Sequence, residues 1–286
     1  MKKIRVDEEW KGKRADRLLA FMYPQFARSA VSKLFDHKQV QKGGAPLKAG
    51  EKLHVGDEIE VEDHLLVDKP PAIEIPIIYE DSDVVVINKP VGILSHSKGA
   101  FNPEATVSSW LRDYAHLREE GDRVGIVHRL DRTTSGVMIT AKTPEAQSWL
   151  QKQFSQRKVK KTYVATVEGH LTDEEAVIDM PIERNPANPK SFRTGQTGKP
   201  ATTHYRVLSE GDKTSVVELR PTTGRTHQIR VHLKAMGHPI VGDTLYGAKP
   251  ALRIYLHALE LELTLPSRKR QTFTAPLPPE FAKDDK

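Results

Sequence analysis

Cysteine is absent from the 286 residues. That excludes disulfides, thiolate nucleophiles and Cys-ligated zinc or iron–sulfur centres. Long apolar runs are missing too: no stretch approaches the roughly 18 residues that a membrane-spanning helix needs. The N-terminus, MKKIRVDEEWKGKR, lacks the apolar segment of a secretory signal. A cytoplasmic protein with no membrane partner is the expectation. HExxH, GxSxG, dinucleotide-binding and phosphate-loop signatures are all missing, and no internal repeat is visible.

What is present is positive charge, unevenly spread. The net charge is +6. QKQFSQRKVKK, residues 151–161, carries five basic residues and no acid. LRPTTGRTHQIRVHLK, residues 219–234, adds Arg220, Arg225, Arg230 and Lys234, again without an acid. Basic strips with Phe154 and Tyr163 nearby suit a phosphate backbone with stackable bases, though a charge run is more often a solvated face.

Residues 1–65 read as a small unit. ADRLLAFMYPQF and RSAVSKLFDHKQV have apolar residues at helical spacing. Glycines then punctuate short strands up to IEVED. Residues 66–76, with Pro70, Pro71 and Pro76, read as a linker. A second unit is expected over 77–286. There VVVI, GVMITAKT, KTYVATVEG, THYRVLSE, KTSVVELRP and LELTLPS are strand-like. Helices are expected over TVSSWLRDYAHLREE with Thr106 as cap, over TPEAQSWLQKQFSQRKV with Thr143 as cap, and over HQIRVHLKAMG ending at Gly237. Strands and helices mix without strict alternation, so the fold class expected is α+β with a mixed, largely antiparallel sheet flanked by helices.

The stretch HRLDRTTSG, residues 128–136, places Asp131 between Arg129 and Arg132. Neighbouring cations favour its charged form, which suits a nucleophile or a base. Local chemistry alone equally allows, and indeed favours, a structural Asp that accepts backbone N–H groups in a turn. Two other chemistries can be weighed. His128, His227 and His232 with Asp131 suggest a metal, but the spacing matches no metal motif. Ser135 with His227 or His232 suggests a hydrolase, but the nucleophile elbow is absent.

Taken together, NKPVG (88–92) with His96 after it, HRLDRTTSG, KTYVATVEG, LRPTTGRTHQIRVHLKAMGHPIVGDTLYG and LHALELEL (256–263) resemble, in order, the motifs of the RluA-type pseudouridine synthases. The similarity spans most of residues 77–275. The N-terminal unit resembles the αL RNA-binding module of a small-subunit ribosomal protein. It departs from that pattern in having DHKQV and QKGG where a glycine and an Asn-Gly turn are usual.

The resemblance implies isomerisation of uridine to pseudouridine in RNA, with ribosomal RNA favoured over transfer RNA. It implies no metal and no organic cofactor, and a chain that acts as a monomer. Asp131 is then the catalytic aspartate, Arg225 the basic group paired with it, and Tyr163 the ring that packs on the target base and handles a proton. Arg129 holds the base out of its stack, and Leu130 and Ile229 form an apolar wall. Arg132, Lys160, Lys161 and Arg230, with Arg28 and Lys33 of the first unit, complete the expected RNA-binding set. The alternative is a non-catalytic RNA-binding or ribosome-assembly factor.

Overall fold

The computed structural model describes residues 1–24, 26, 28–63, 71–97, 104–115 and 123–282. The chain divides into two compact units, one of Met1–Ile73 with His96–Val124 and one of Glu74–Ser95 with Gly125–Lys286. Of the expected linker, residues 66–70 lie outside the described residues, and 71–76 form neither helix nor strand.

In the smaller unit a four-stranded antiparallel sheet runs in the order β1 (Lys2–Arg5), β4 (Glu58–Val61), β2 (Val40–Lys42), β3 (Ala45–Pro46). Two helices belong to it, α1 (Ala15–Met22) and α2 (Arg28–Asp36). Leu18, Leu19, Val31 and Leu34 recur at helical spacing and share one core with Val40, Ile59 and Val61 from the strands. A third helix, α3 (Val107–Tyr114), starts at the expected cap: Thr106 and Ser109 form a reciprocal capping box. The helix was expected to reach Glu120, and residues 116–120 lie outside the described residues.

The larger unit is built on a nine-stranded sheet. Its strands are β5 (Ile77–Glu80), β6 (Val84–Lys89), β7 (Ser135–Ala141), β8 (Lys160–Glu168) and β9 (Glu175–Asp179), then β12 (Thr202–Glu210), β13 (Thr214–Pro221), β14 (Leu256–Thr264) and β15 (Arg270–Thr274). The spatial order is β5-β6-β7-β14-β8-β13-β12-β9, with β15 also paired to β14. A separate hairpin joins β10 (Ile182–Arg184) to β11 (Phe192–Thr194). Every pair in the large sheet is antiparallel except β7 with β14. The sheet is thus mixed and largely antiparallel, and the architecture is α+β, as the sequence pattern implies.

Two helices accompany the sheet. α4 (Pro144–Ser155) is capped by Thr143 with Pro144 in its first turn, and it packs on β7. α5 (Gln228–Ala235) packs against β11 and β13, and Gln228 to Leu233 are all buried. Gly237 follows its C-cap with a positive φ of 88°.

The centre of the sheet decides where Asp131 lies. All seven residues of β7 are buried, as expected of a strand covered on both faces. One edge of β14 is shared: His257 and Ala258 pair with β7, and Glu260 to Thr264 pair with β15. At the join, Gly136 has a φ of 116°, and a Cβ there would lie 2.2 Å from the Ala258 carbonyl oxygen. Only glycine lets the two backbones approach this closely. The loop carrying Asp131 therefore enters the sheet beside its central strand.

Candidate active site

HRLDRTT is irregular backbone, as the sequence suggested, and it is held from several sides. Ser95 brackets Leu130: its hydroxyl donates to the Leu130 carbonyl at 2.9 Å and accepts the Leu130 N–H at 3.0 Å. The Gly92 N–H donates to the Arg132 carbonyl at 2.8 Å. His128 stacks on Phe154 with centroids 4.5 Å apart, and its Nε2 accepts the Ile139 N–H at 3.1 Å. Burial pushes its pKa down to about 3, so the ring is neutral with its proton on Nδ1. A nitrogen engaged by a backbone amide is not open to a metal.

Beneath this loop lies Lys89, fully buried at the end of β6. Its Nζ donates to the Pro90 and Ile93 carbonyls, each at 2.8 Å. Burial lowers its pKa to about 7, against an opposing pull from Asp131. The sign of the pH effect follows. Between about 7 and the unfolded value the unfolded chain binds the extra proton, so this group's contribution to stability rises with pH. Lys89→Met is therefore expected to destabilise the protein, and more at pH 9 than at pH 6.5. Urea midpoints of the variant and the wild type at both pH values check this; a constant gap would refute it.

A cavity of about 450 Å³ opens at the loop. Asp131, Tyr163, Lys161, Arg225, His227 and Arg230 are among the residues lining it. Asp131 comes from the loop before β7, Tyr163 and Lys161 from β8, and the rest from the turn between β13 and α5 and from α5 itself. Burial, and secondly the charge of Asp131, raise the pKa of Tyr163, which keeps the phenol protonated. Burial lowers that of Lys161 to about 8, where its Nζ donates to the Thr223 carbonyl at 3.0 Å.

The arginine beside Asp131 is Arg230, not Arg225. Arg230 Nη1 lies 3.5 Å from Asp131 Oδ2. Its Nε and Nη2 grip Asp243 in a bidentate pair at 2.6 and 2.8 Å. Burial would lower its pKa, but Asp243 and then Asp131 outweigh that and hold it above the usual value. Arg225 turns the other way: its Nε donates to the Pro200 carbonyl at 3.0 Å. The cause is local. The Gln228 side-chain oxygen accepts the Arg225 N–H at 3.0 Å and the Thr223 hydroxyl at 2.6 Å. The turn is closed there, the helix starts at Gln228, and the face of its first turn that meets Asp131 carries Arg230.

Arg230, expected among the RNA contacts, is 5% exposed, lines the cavity and has Asp243 on two of its donors. Of the other expected RNA contacts, Arg129 is exposed and lines the cavity, and Arg132 is exposed outside it. Lys160 is exposed and pairs with Glu262 at 3.2 Å. Arg28 and Lys33 lie on α2 of the smaller unit, where Arg28 and Arg14 both pair with buried Asp16, at 2.8 and 3.0 Å.

Ser135 is no hydrolase nucleophile. It is buried away from the cavity, its hydroxyl 2.8 Å from His257 Nδ1 and also bonded by Arg253. His232 is engaged by Thr203 and the Met180 carbonyl. Among the described residues no group of three His, Asp or Glu side chains converges to hold a metal ion. Sequence reasoning gave no role to Lys89, Ser95, Asp243 or Tyr246. For Lys89, Asp243 and Tyr246 the signals were the NKP and GDTLY stretches, where they stand among turn-forming residues.

Residues 83–235 match the family of RNA pseudouridylate synthases. The chain belongs to that family. It is an RNA pseudouridine synthase, and nothing in its relatives favours a non-catalytic role. It is 37% identical to ribosomal large subunit pseudouridine synthase D of Nitrosomonas europaea, over 98% of this chain and 85% of that one. The protein of the same name in Escherichia coli strain K12 is 37% identical, over 86% of this chain and 76% of that one. Human RNA pseudouridylate synthase domain containing 1 superimposes on the synthase with a TM-score of 0.60 at 31% identity, covering 72% of this chain and 85% of the human one. Among the described residues no helix of the synthase is long and apolar enough to cross a membrane.

Proposed function

We propose that the synthase isomerises uridines of large-subunit ribosomal RNA, with Asp131 as the acting carboxylate. The observation that carries the assignment of Asp131 is its place in the cavity, one-fifth exposed, against a buried arginine that is itself neutralised by Asp243. The names of the relatives support the RNA class. The reading includes action as a monomer in the cytoplasm.

The reaction breaks the bond from N1 of uracil to the ribose, turns the base, and joins the ribose to carbon 5. Carbon 5 gives up its proton and N1 gains one, so atoms balance without a co-reactant. A stacked base is out of reach of a pocket and must be flipped out, which costs a few kcal/mol. Basic side chains at the mouth, Arg129 among them, offset that through the phosphate backbone. Addition of the carboxylate to the ring, addition to the anomeric carbon, and stabilisation of a ribosyl cation all need Asp131 ionised in a water-poor site. Arg230 sets a buried cation 3.5 Å from Asp131 Oδ2. Tyr163, protonated in the same cavity, relays the carbon-5 proton by passing its own hydroxyl proton on to water as its oxygen takes the new one.

The test is tritium release from carbon-5-labelled uridine by the purified full chain, with large-subunit ribosomal RNA and transfer RNA as separate substrates. Release from the first alone is expected. Release from transfer RNA alone overturns the substrate class, and release from neither overturns the reading.

A further inference from the structure

One ring at the cavity has no part in the chemistry above. His227 is the residue before α5, and it adopts the left-handed backbone conformation, φ 57° and ψ 20°. Residues with a Cβ seldom adopt it unless their surroundings hold them there. Its Nε2 lies 3.8 Å from Asp131 Oδ2, and its Nδ1 lies 2.8 Å from the Tyr246 hydroxyl. Phe192 and Tyr246 meet the imidazole edge-on, with centroids 5.6 and 5.7 Å away, and this fixes the plane of the ring.

The hydrogens can be assigned by elimination. The Phe192 N–H donates to the Tyr246 oxygen at 3.0 Å. The single hydrogen of Tyr246 is then left for His227 Nδ1, which accepts. Burial holds His227 below its ordinary pKa, with Asp131 pulling the other way, so the ring is neutral and has one N–H. That N–H lies on Nε2 and faces Asp131. The opposite tautomer would leave the Tyr246 hydrogen without an acceptor in this contact and set an Nε2 lone pair against a carboxylate.

We propose that His227 is a positioning residue for Asp131. Locked in one tautomer by Tyr246, it presents Nε2–H to Oδ2 and fixes the orientation of the carboxylate, while Arg230 supplies the charge. At 3.8 Å the contact is electrostatic in the free enzyme, and it closes to a hydrogen bond when the target base displaces water. The inference rests on the reading of Asp131 as the acting group.

Two variants separate this role from a structural one. Asparagine is at home in the left-handed conformation and matches the reach of Nδ1, but it stops short of Asp131. Glutamine fits that backbone less well and extends an amide N–H to where Nε2 stood. A structural role ranks His227→Asn above His227→Gln; positioning ranks them the other way. With ribosomal RNA as substrate, His227→Asn is expected to lower kcat by roughly 100-fold with KM little changed, and His227→Gln to lose only about 10-fold. Tyr246→Phe is expected to lower kcat by about 10-fold in the wild type but to have little effect beside His227→Gln, because an amide has no tautomer to lock.

Thermal midpoints are measured for every variant. Should His227→Gln not fold, Tyr246→Phe decides alone: reduced kcat with unchanged KM and midpoint supports the role, and unchanged kcat overturns it. An active wild type in which Asn equals or exceeds Gln overturns the inference alone. A wild type that releases no tritium overturns the functional reading and this inference together.

Discussion

Asp131→Asn is expected to abolish pseudouridine formation, with kcat falling by roughly 10⁴-fold or more. The substitution keeps the volume and the planar head group but removes the charge and the nucleophilic oxygen. The loop should keep its shape, because its backbone is tied to Ser95 and Gly92 and not to the Asp131 side chain. RNA affinity should stay within a few-fold, since a carboxylate contributes little to a phosphate backbone. Tritium release and filter binding on one preparation give the two numbers. A variant that forms pseudouridine at the normal rate would remove Asp131 from the chemistry, and one that fails to bind RNA would reveal a structural aspartate instead.

The second large effect is expected at Arg230, and it divides into two parts. Arg230→Met leaves Asp243 buried without its partner, which costs about 3–5 kcal/mol of stability. It also removes the cation that faces Asp131, with an expected loss of about 10²- to 10³-fold in kcat. Arg230→Lys should recover little of either, because a point charge cannot span both oxygens of Asp243 and still reach Asp131. The double variant Arg230→Met/Asp243→Leu removes both buried charges, so it should regain most of the stability and none of the activity. Chemical denaturation with tritium release distinguishes the parts: stability and activity recovering together would mean that Arg230 is purely structural. Arg225→Lys, on a guanidinium that bonds the Pro200 carbonyl, is expected to change kcat far less than Arg230→Lys.

These two arginines show where sequence reading stops. That a basic residue of TTGRTHQIR would stand beside Asp131 was legible in the motif. Which one was not, because the answer depends on where α5 begins, and that is set by the Gln228 side chain closing the turn. The caps at Thr106 and Thr143 were legible because capping is local chemistry. The strands carrying Tyr163 and following Asp131 were legible from β-branched runs between turns. Nothing local shows that Lys89 is fully buried or that Tyr246 lies against His227. Those facts depend on partners far away in the chain. Arg28 and Lys33 were marked by charge alone. The structure adds that Arg28 is held by a buried carboxylate, Asp16, which also holds Arg14.

The parallel join of β7 to β14 has a temporal meaning. Ser135 and His257 touch across it, 122 positions apart in the chain. Closing so long a loop is entropically slow and waits on many nearer contacts. A ribosome making this protein therefore releases Asp131 and its loop well before the strand that seats them. Until β14 emerges, β7 has only β6 beside it in the sheet. Asp131 is among the earlier parts of this unit to be synthesised and among the last to be set in place. The site becomes whole only once β14 is made, and a nascent chain short of β14 lacks the strand against which β7 seats that loop.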